Sequence, residues 1–164
     1  MANDILKHYE GLHDGDLHQI GLQPKMDPVG IWTEGWGRAM LYKGKFLKGS
    51  ANEAIANKLA TIKTIEQADA ALVSDLNPIW AIIARKITIL LTQLQKETLA
   101  SHIYNTGGSS TLYNLINSRS PELANWWMAH YITGQGNPKP QPGLVYRRKT
   151  EALYFTTGVL KFYN

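Results

Sequence analysis

Glu10 stands at the end of a short helical stretch and is followed by Asp27-Pro28-Val29-Gly30-Ile31-Trp32-Thr33-Glu34-Gly35-Trp36-Gly37, giving the pattern E-x16-D-x5-T-x-G-x-G. Two carboxyl groups so placed suit the cleavage of a glycosidic bond. One must hold its proton until the leaving oxygen takes it, and the other must stay ionised to activate a water or attack the sugar. Glu10 and Asp27 are the candidate pair. Asp14, Asp16 and Glu34 are rivals for the second place, and only the spacing to Thr33 singles out Asp27. The plainer reading of the same residues is a solvated glutamate at a helix end, a turn begun by Asp27-Pro28 and a strand threonine.

The elements that must position these residues are visible as periodicities. Ile5, Tyr9 and Leu12 recur at i, i+4 and i+7, which predicts a helix from about residue 4 to about Gly11 with Glu10 at its C-terminal end. Residues 13–26, with Asp14, Gly15, Asp16, Gly21 and Pro24, predict a loop. Runs of β type at 29–33, 36–42 and 45–47, broken by Gly35 and by Lys43-Gly44, predict a small antiparallel sheet with Thr33 at a strand end. Ser50-Ala51-Asn52-Glu53 and Thr64-Ile65-Glu66-Gln67 read as capping boxes. The first opens a helix to about Ala60; the second opens a long helix striped by Ala68, Leu72, Leu76, Ile79 and Ile83, with Pro78 as a kink site. Thr92 opens a buried helix through Tyr104, stopped by Gly107-Gly108. A short helix at 111–117 and another begun by Ser120-Pro121-Glu122, with Pro at its first position, follow. Residues 134–143 read as a loop before a last helix carrying Leu144, Val145, Ala152, Leu153 and Phe155.

With 164 residues, 44% of them hydrophobic and 10% aromatic, the chain is long enough for one sizeable core or two small lobes, and no tract of it argues for disorder. It has no cysteine, which excludes disulfides and thiolate metal sites. The start, Met1-Ala2-Asn3-Asp4, lacks the charged and apolar regions of a secretory signal, and the most apolar stretch, 79–91, is short and interrupted by Arg85 and Lys86; the expectation is a soluble chain. Residues 1–60 carry seven basic and seven acidic side chains, 61–133 five of each, and 134–164 five basic against one acidic. The formal charge of +4 therefore resides in the last segment, a local field that attracts polyanions such as nucleic acid, an acidic membrane or a bacterial wall.

The motifs resemble, in matching order, those of the phage-type lysozymes (endolysins, muramidases) of glycoside hydrolase family 24. Glu10-Gly11-Leu12 is similar to the helical E-G-L/F of that family, and Asp27 to Gly37 to its D-x-x-G-x-x-T-x-G-x-G hairpin. The stretch 64–75 is similar to its connecting helix, Leu91-Thr92-Gln93 with Tyr104-Asn105-Thr106-Gly107 to its L-T-Q and F-N-x-G, and Pro142-Gly143-Leu144-Val145-Tyr146-Arg147-Arg148 to its P-G-L-x-x-R-R. The resemblance implies a mainly helical α+β, lysozyme-like fold. One domain over 1–164 would hold an N-terminal lobe with a small antiparallel sheet (about 1–63), a connecting helix (about 64–87) and a helical C-terminal lobe (about 88–164), the substrate groove lying between the lobes.

It further implies hydrolysis of the β-1,4 bond between N-acetylmuramic acid and N-acetylglucosamine in bacterial peptidoglycan, without a cofactor or metal, by a monomer held in the host cytoplasm until release. Glu10 would be the general acid, Asp27 the base and Thr33 the residue positioning water in an inverting reaction. Trp36, Tyr104, Asn105, Arg147 and Arg148 are expected to bind substrate, with one of the two arginines near Glu10. Trp32, Trp126 and Trp127 are further candidates for stacking on sugar; adjacent on one helix, the last two cannot both face one core.

The chain departs from the family pattern in a longer spacer between Glu10 and Asp27, carrying His13, Asp14, Asp16 and His18, in Glu34 where an apolar residue is usual, and in Arg38 where histidine is usual; Glu34 and Arg38 are expected to pair. The spacer histidines and carboxylates match no metal-ligand spacing. His102 and His130 read as packing or surface residues. A lytic transglycosylase acting on the same bond, and a non-catalytic module binding cell wall or nucleic acid through its basic end, are the rival readings; no helix-turn-helix, zinc or glycine-rich signature supports nucleic acid.

Overall fold

The computed structural model describes residues 4–134 and 136–164. Residues 1–3, on which the reading of a signal-free start partly rests, and residue 135, within the segment read as a loop, lie outside the described residues. Helix α1 (Asp4–Glu10) ends where Gly11 turns to φ +70°, and Glu10 is its last residue. Strands β1 (Lys25–Met26), β2 (Trp32–Glu34) and β3 (Arg38–Ala39) form an antiparallel sheet in that order, and β4 (Leu41–Tyr42) pairs with β5 (Lys45–Phe46). Lys43 and Gly44 both take positive φ, the geometry of a two-residue hairpin turn. Helices α2 (Glu53–Leu59), α3 (Ile65–Lys86), α4 (Gln93–Thr106), α5 (Ser110–Asn117), α6 (Leu123–Ala129) and α7 (Pro142–Thr157) follow, so the chain is mainly helical α+β.

These elements fall into two compact units, one of Glu10–Asp75 and one of residues 4–9 with Leu76–Asn164. In the first unit two apolar clusters hold the sheet in place. Trp32, Met40, Leu47 and Ala56 form one, and Leu22, Ile62 and Ala68 the other, with Leu12, Trp36 and Ala71 packed on it. In the second unit α4 is buried continuously from Thr98 to Ile103, and α7 packs on both α4 and α6. Leu99, Leu112, Ile116, Trp127, Ala152 and Phe155 fill its core. The α3 stripe, Ala68, Leu72, Leu76, Ile79 and Ile83, is buried throughout.

Several local expectations are corrected. Residues 25–26 are a strand rather than loop, because β2 offers them a partner: Lys25 lies opposite Thr33 and Met26 opposite Trp32. Ser50 makes no capping box; residues Ser50–Asn52 form a 3-10 turn and the α2 cap, Asn52, sends its side chain to the Lys48 carbonyl instead. Thr64 and Gln67 do exchange the bonds of a capping box, as do Thr92 and Gln95. Helix α6 begins at Leu123, two residues after Pro121. The last helix starts at Pro142 rather than after Gly143, with proline in its first turn, where its missing N–H costs nothing.

Candidate active site

Glu10 and Asp27 reach one recess. It has a volume of about 480 Å³ and is walled by Glu10, Gly11, Leu12, His13, Lys25, Met26, Asp27 and Pro28, all of the first unit. Glu10 is brought there by the stop of α1 and by the next residues: His13 N–H donates to the Gly35 carbonyl at 2.9 Å, which ties the chain just after Glu10 to the turn between β2 and β3. Gly37, the last glycine of the motif, lies directly under the carboxyl group. A Cβ there would stand 2.9 Å from Glu10 Oε2 and 3.3 Å from its Cδ, at a φ of +90° that side chains avoid. The motif glycine is thus the space that the half-buried Glu10 side chain occupies.

Asp27 is held by the tight turn from β1 to β2. Its Oδ1 accepts the N–H groups of Val29 (3.0 Å) and Ile31 (2.8 Å), and its carbonyl accepts that of Gly30 (3.0 Å). Among the described residues no donor reaches Oδ2. One oxygen therefore fixes the group and the other is left for solvent or substrate. Thr33 is not a wall of the recess. It is 4% exposed on the central strand and donates its hydroxyl to the Ile31 carbonyl at 3.2 Å.

Trp36 is held elsewhere. Its Nε1 donates to Asp69 Oδ1 at 2.7 Å and its ring packs on the Leu22, Ile62 and Ala68 cluster, away from the recess walls. Glu34 and Arg38 do not pair, although their backbones lie opposite one another. Arg38 forks onto Asp75 at 2.8 and 2.9 Å, while the buried Glu34 carboxylate collects Thr61 N–H, Thr61 hydroxyl and Ile62 N–H. Those three donors leave Glu34 no part in the recess.

In the second unit Tyr104 is half-buried and Asn105 exposed at the end of α4, Asn105 accepting a bond from Arg148. Arg147 and Arg148 are 3% and 0% exposed and are not surface charges. Both turn onto Glu151, at 3.1 and 2.9 Å, and Arg147 also donates to the Ser101 carbonyl and hydroxyl. Ser101 hydroxyl and Trp127 Nε1 complete the coordination of Glu151. Burial alone would raise the Glu151 carboxyl, but Arg148, the His102 contact and Arg147 outweigh it and hold it at about 2. Burial lowers His102 below its usual value, against the pull of Glu151. His102 Nδ1 faces both the Arg148 guanidinium and, at 3.4 Å, Glu151 Oε2. Sequence reasoning missed Glu151, and left His102 open between packing and surface; the spacing of Glu151 at i+4 from Arg147 and i+3 from Arg148 was the signal. Trp127 is fully buried, and Trp126 stacks on His130 at 4.1 Å.

A helical α+β chain that presents two carboxyl groups on one recess beside a small sheet has the parts of a glycosidase. The family model described as phage lysozyme matches residues 15–151, which takes in Asp27, Thr33 and the buried arginines and begins just after Glu10, and the chain belongs to that family. It is accordingly a peptidoglycan-degrading endolysin, a glycoside hydrolase. It is 28% identical over 163 residues to an endolysin of Acyrthosiphon pisum secondary endosymbiont phage 1, covering 94% of each chain. It is 37% identical over 86 residues to a SAR-endolysin of Escherichia phage Mu, covering 50% of this chain and 49% of the relative. Among solved structures it is similar to an endolysin from Escherichia coli phage FAHEc1 (TM-score 0.70, 24% identity, 98% of this chain and 93% of the other). The muramidase domain of SpmX from Asticaccaulis excentricus is a further fold neighbour (TM-score 0.65, 24% identity, 95% of each chain).

Proposed function

We propose that the chain hydrolyses the β-1,4 bond between N-acetylmuramic acid and N-acetylglucosamine, with Glu10 as general acid and Asp27 as general base. The observation that carries this reading is that the two carboxyl groups wall the same recess on opposite chain segments. Glu10 protonates the leaving oxygen while Asp27, through Oδ2, takes a proton from the attacking water, giving inversion at the anomeric carbon. Thr33 is assigned to orient that water on its spacing from Asp27, its oxygen retaining lone pairs beside the bond it donates to Ile31. Tyr104 and Asn105 are assigned to substrate on the motif alone, and Trp36, Arg147 and Arg148 to holding structure.

Among the described residues no helix is long and apolar enough to cross a membrane. The enzyme works as a monomer that stays in the host cytoplasm until it is released to the wall; fractionation of expressing cells and light scattering of the purified chain check the two statements. The mechanism is tested by turbidity loss of purified peptidoglycan with wild type, Glu10→Gln and Asp27→Asn, the released sugars being assayed for reducing ends. A loss of about 100-fold or more in each folded variant is expected. Full activity of Asp27→Asn with anhydro products would replace hydrolysis by transglycosylation.

A further inference from the structure

The segment between Glu10 and Asp27 builds a second recess, which also borders β1. It is an ordered loop: Gly15 N–H donates to the Gln23 carbonyl, Gln23 N–H to Asp14 Oδ1, and Leu22 N–H to the Lys63 carbonyl. Gly15 is packed so closely that a Cβ would stand 2.2 Å from the Pro24 carbonyl oxygen. The recess measures about 310 Å³, and Lys25 and Met26 of β1 wall both it and the recess of Glu10 and Asp27. Its polar walls are Asp16, Gln19 and Gln23 from the loop, Lys25, and Glu53 with Asn57, which stand one turn apart on α2.

Gln23 indicates what enters. The residue is 8% exposed, its Nε2 donates to the Gly21 carbonyl at 3.3 Å, and among the described residues nothing donates to its Oε1, an acceptor at the recess. Trp32, at the floor, is 7% exposed and its Nε1 is spent on the Gly49 carbonyl, so no aromatic face is offered to a sugar ring. Carboxylates on the loop and on α2, an ammonium on β1 and an amide oxygen left open to solvent complement a zwitterion. Asp16 already accepts His18 N–H and Gln19 Nε2, and a carboxylate retains lone pairs beyond two such bonds.

We propose that this recess binds the ammonium-and-carboxylate end of an amino acid on the peptide stem of the wall polymer, and so sets wall preference. The ammonium faces Asp16 and Glu53, the carboxylate faces Lys25, and Gln23 Oε1 accepts an N–H of the ligand. The assignment rests on peptidoglycan being the polymer cut at the adjoining recess, and the shared strand β1 lets a stem hang from a glycan held there.

The test is a titration of the isotope-labelled full chain with L-alanyl-γ-D-glutamyl-meso-diaminopimelate, read at the side-chain amide resonances of Gln23 and Asn57. A saturable shift with a dissociation constant on the order of millimolar is expected, weakened about tenfold when the diaminopimelate amine is acetylated and in Glu53→Gln, as for loss of one charge-assisted bond. Acetylation alters the ligand alone, so the comparison stands even where a variant misfolds. Equal binding of the acetylated peptide, no shift at all, or the same shift with an N-acetylglucosamine tetramer would overturn the proposal. Wall clearance by wild type is recorded alongside: binding without clearance overturns the hydrolase and spares the recess, whereas clearance without binding overturns the recess alone.

Discussion

At the scale of single residues, the candidate acid depends on an atom that is missing. Gly37 has no Cβ, and the Glu10 carboxyl group fills that space. Gly37→Ala meets two costs: a positive φ, worth about 1–3 kcal/mol for a residue with a side chain, and a displaced Glu10. Gly44→Ala in the β4–β5 turn meets only the first, since nothing lies within 4 Å of the point where its Cβ would stand. The expected outcome is a similar fall in thermal stability for both variants, with turnover on peptidoglycan reduced tenfold or more only for Gly37→Ala, in line with the sensitivity of catalysis to small misplacements. Equal turnover in the two would remove the claim that Gly37 positions Glu10. The pairing of Glu10 with Asp27 was legible in the sequence as a spacing. The burial of Thr33 and the placing of Trp36 were not, because the two strands that flank Thr33 and the Asp69 that holds Trp36 are partners distant in sequence.

Elements were legible where local chemistry is self-sufficient. The box at Thr92 forms because hydroxyl and carboxamide satisfy orphan amides within one turn, and the α3 stripe is buried because its spacing gives one continuous face. Ser50 has the right neighbours and still fails, since the chain arrives from Gly49 in a 3-10 turn that leaves the hydroxyl no amide to cap. Strand β1 escaped notice because two residues carry no period of their own. Thr92→Ala is therefore expected to cost about 1 kcal/mol and Ser50→Ala close to nothing, read from denaturant midpoints. Leu72→Ala, emptying a fully buried position in the stripe, is expected to cost about 2–5 kcal/mol. A loss at Ser50 equal to that at Thr92 would mean that the capping box forms in solution after all.

At the scale of the molecule, the basic excess of the last segment divides into two parts with different consequences. Lys139, Lys149 and Lys161 are exposed and can attract an anionic wall, an effect that salt screens. Arg147 and Arg148 are buried and share the Glu151 carboxylate, so burial ties their charge to the stability of the second unit. Composition showed the sum of these charges and could not show which were dry. Burial gives the cluster a pH dependence of definite sign. The unfolded chain takes up a proton at His102 near 6.5, whereas the folded one keeps the ring neutral to lower pH, so acidification from there favours unfolding. Glu151 acts in the same direction further down, protonating near 4.5 when unfolded and only at about 2 when folded. The melting temperature should thus hold near neutrality and fall in two stages below about pH 6.5 and about pH 4.5. Glu151→Gln should cost about 3–5 kcal/mol at pH 7 by removing the buried carboxylate that both guanidiniums share, and should flatten the lower stage. Melting curves of the two proteins from pH 7 to 3 decide the matter: a lower stage of equal steepness in both would show that the acid response arises outside this cluster.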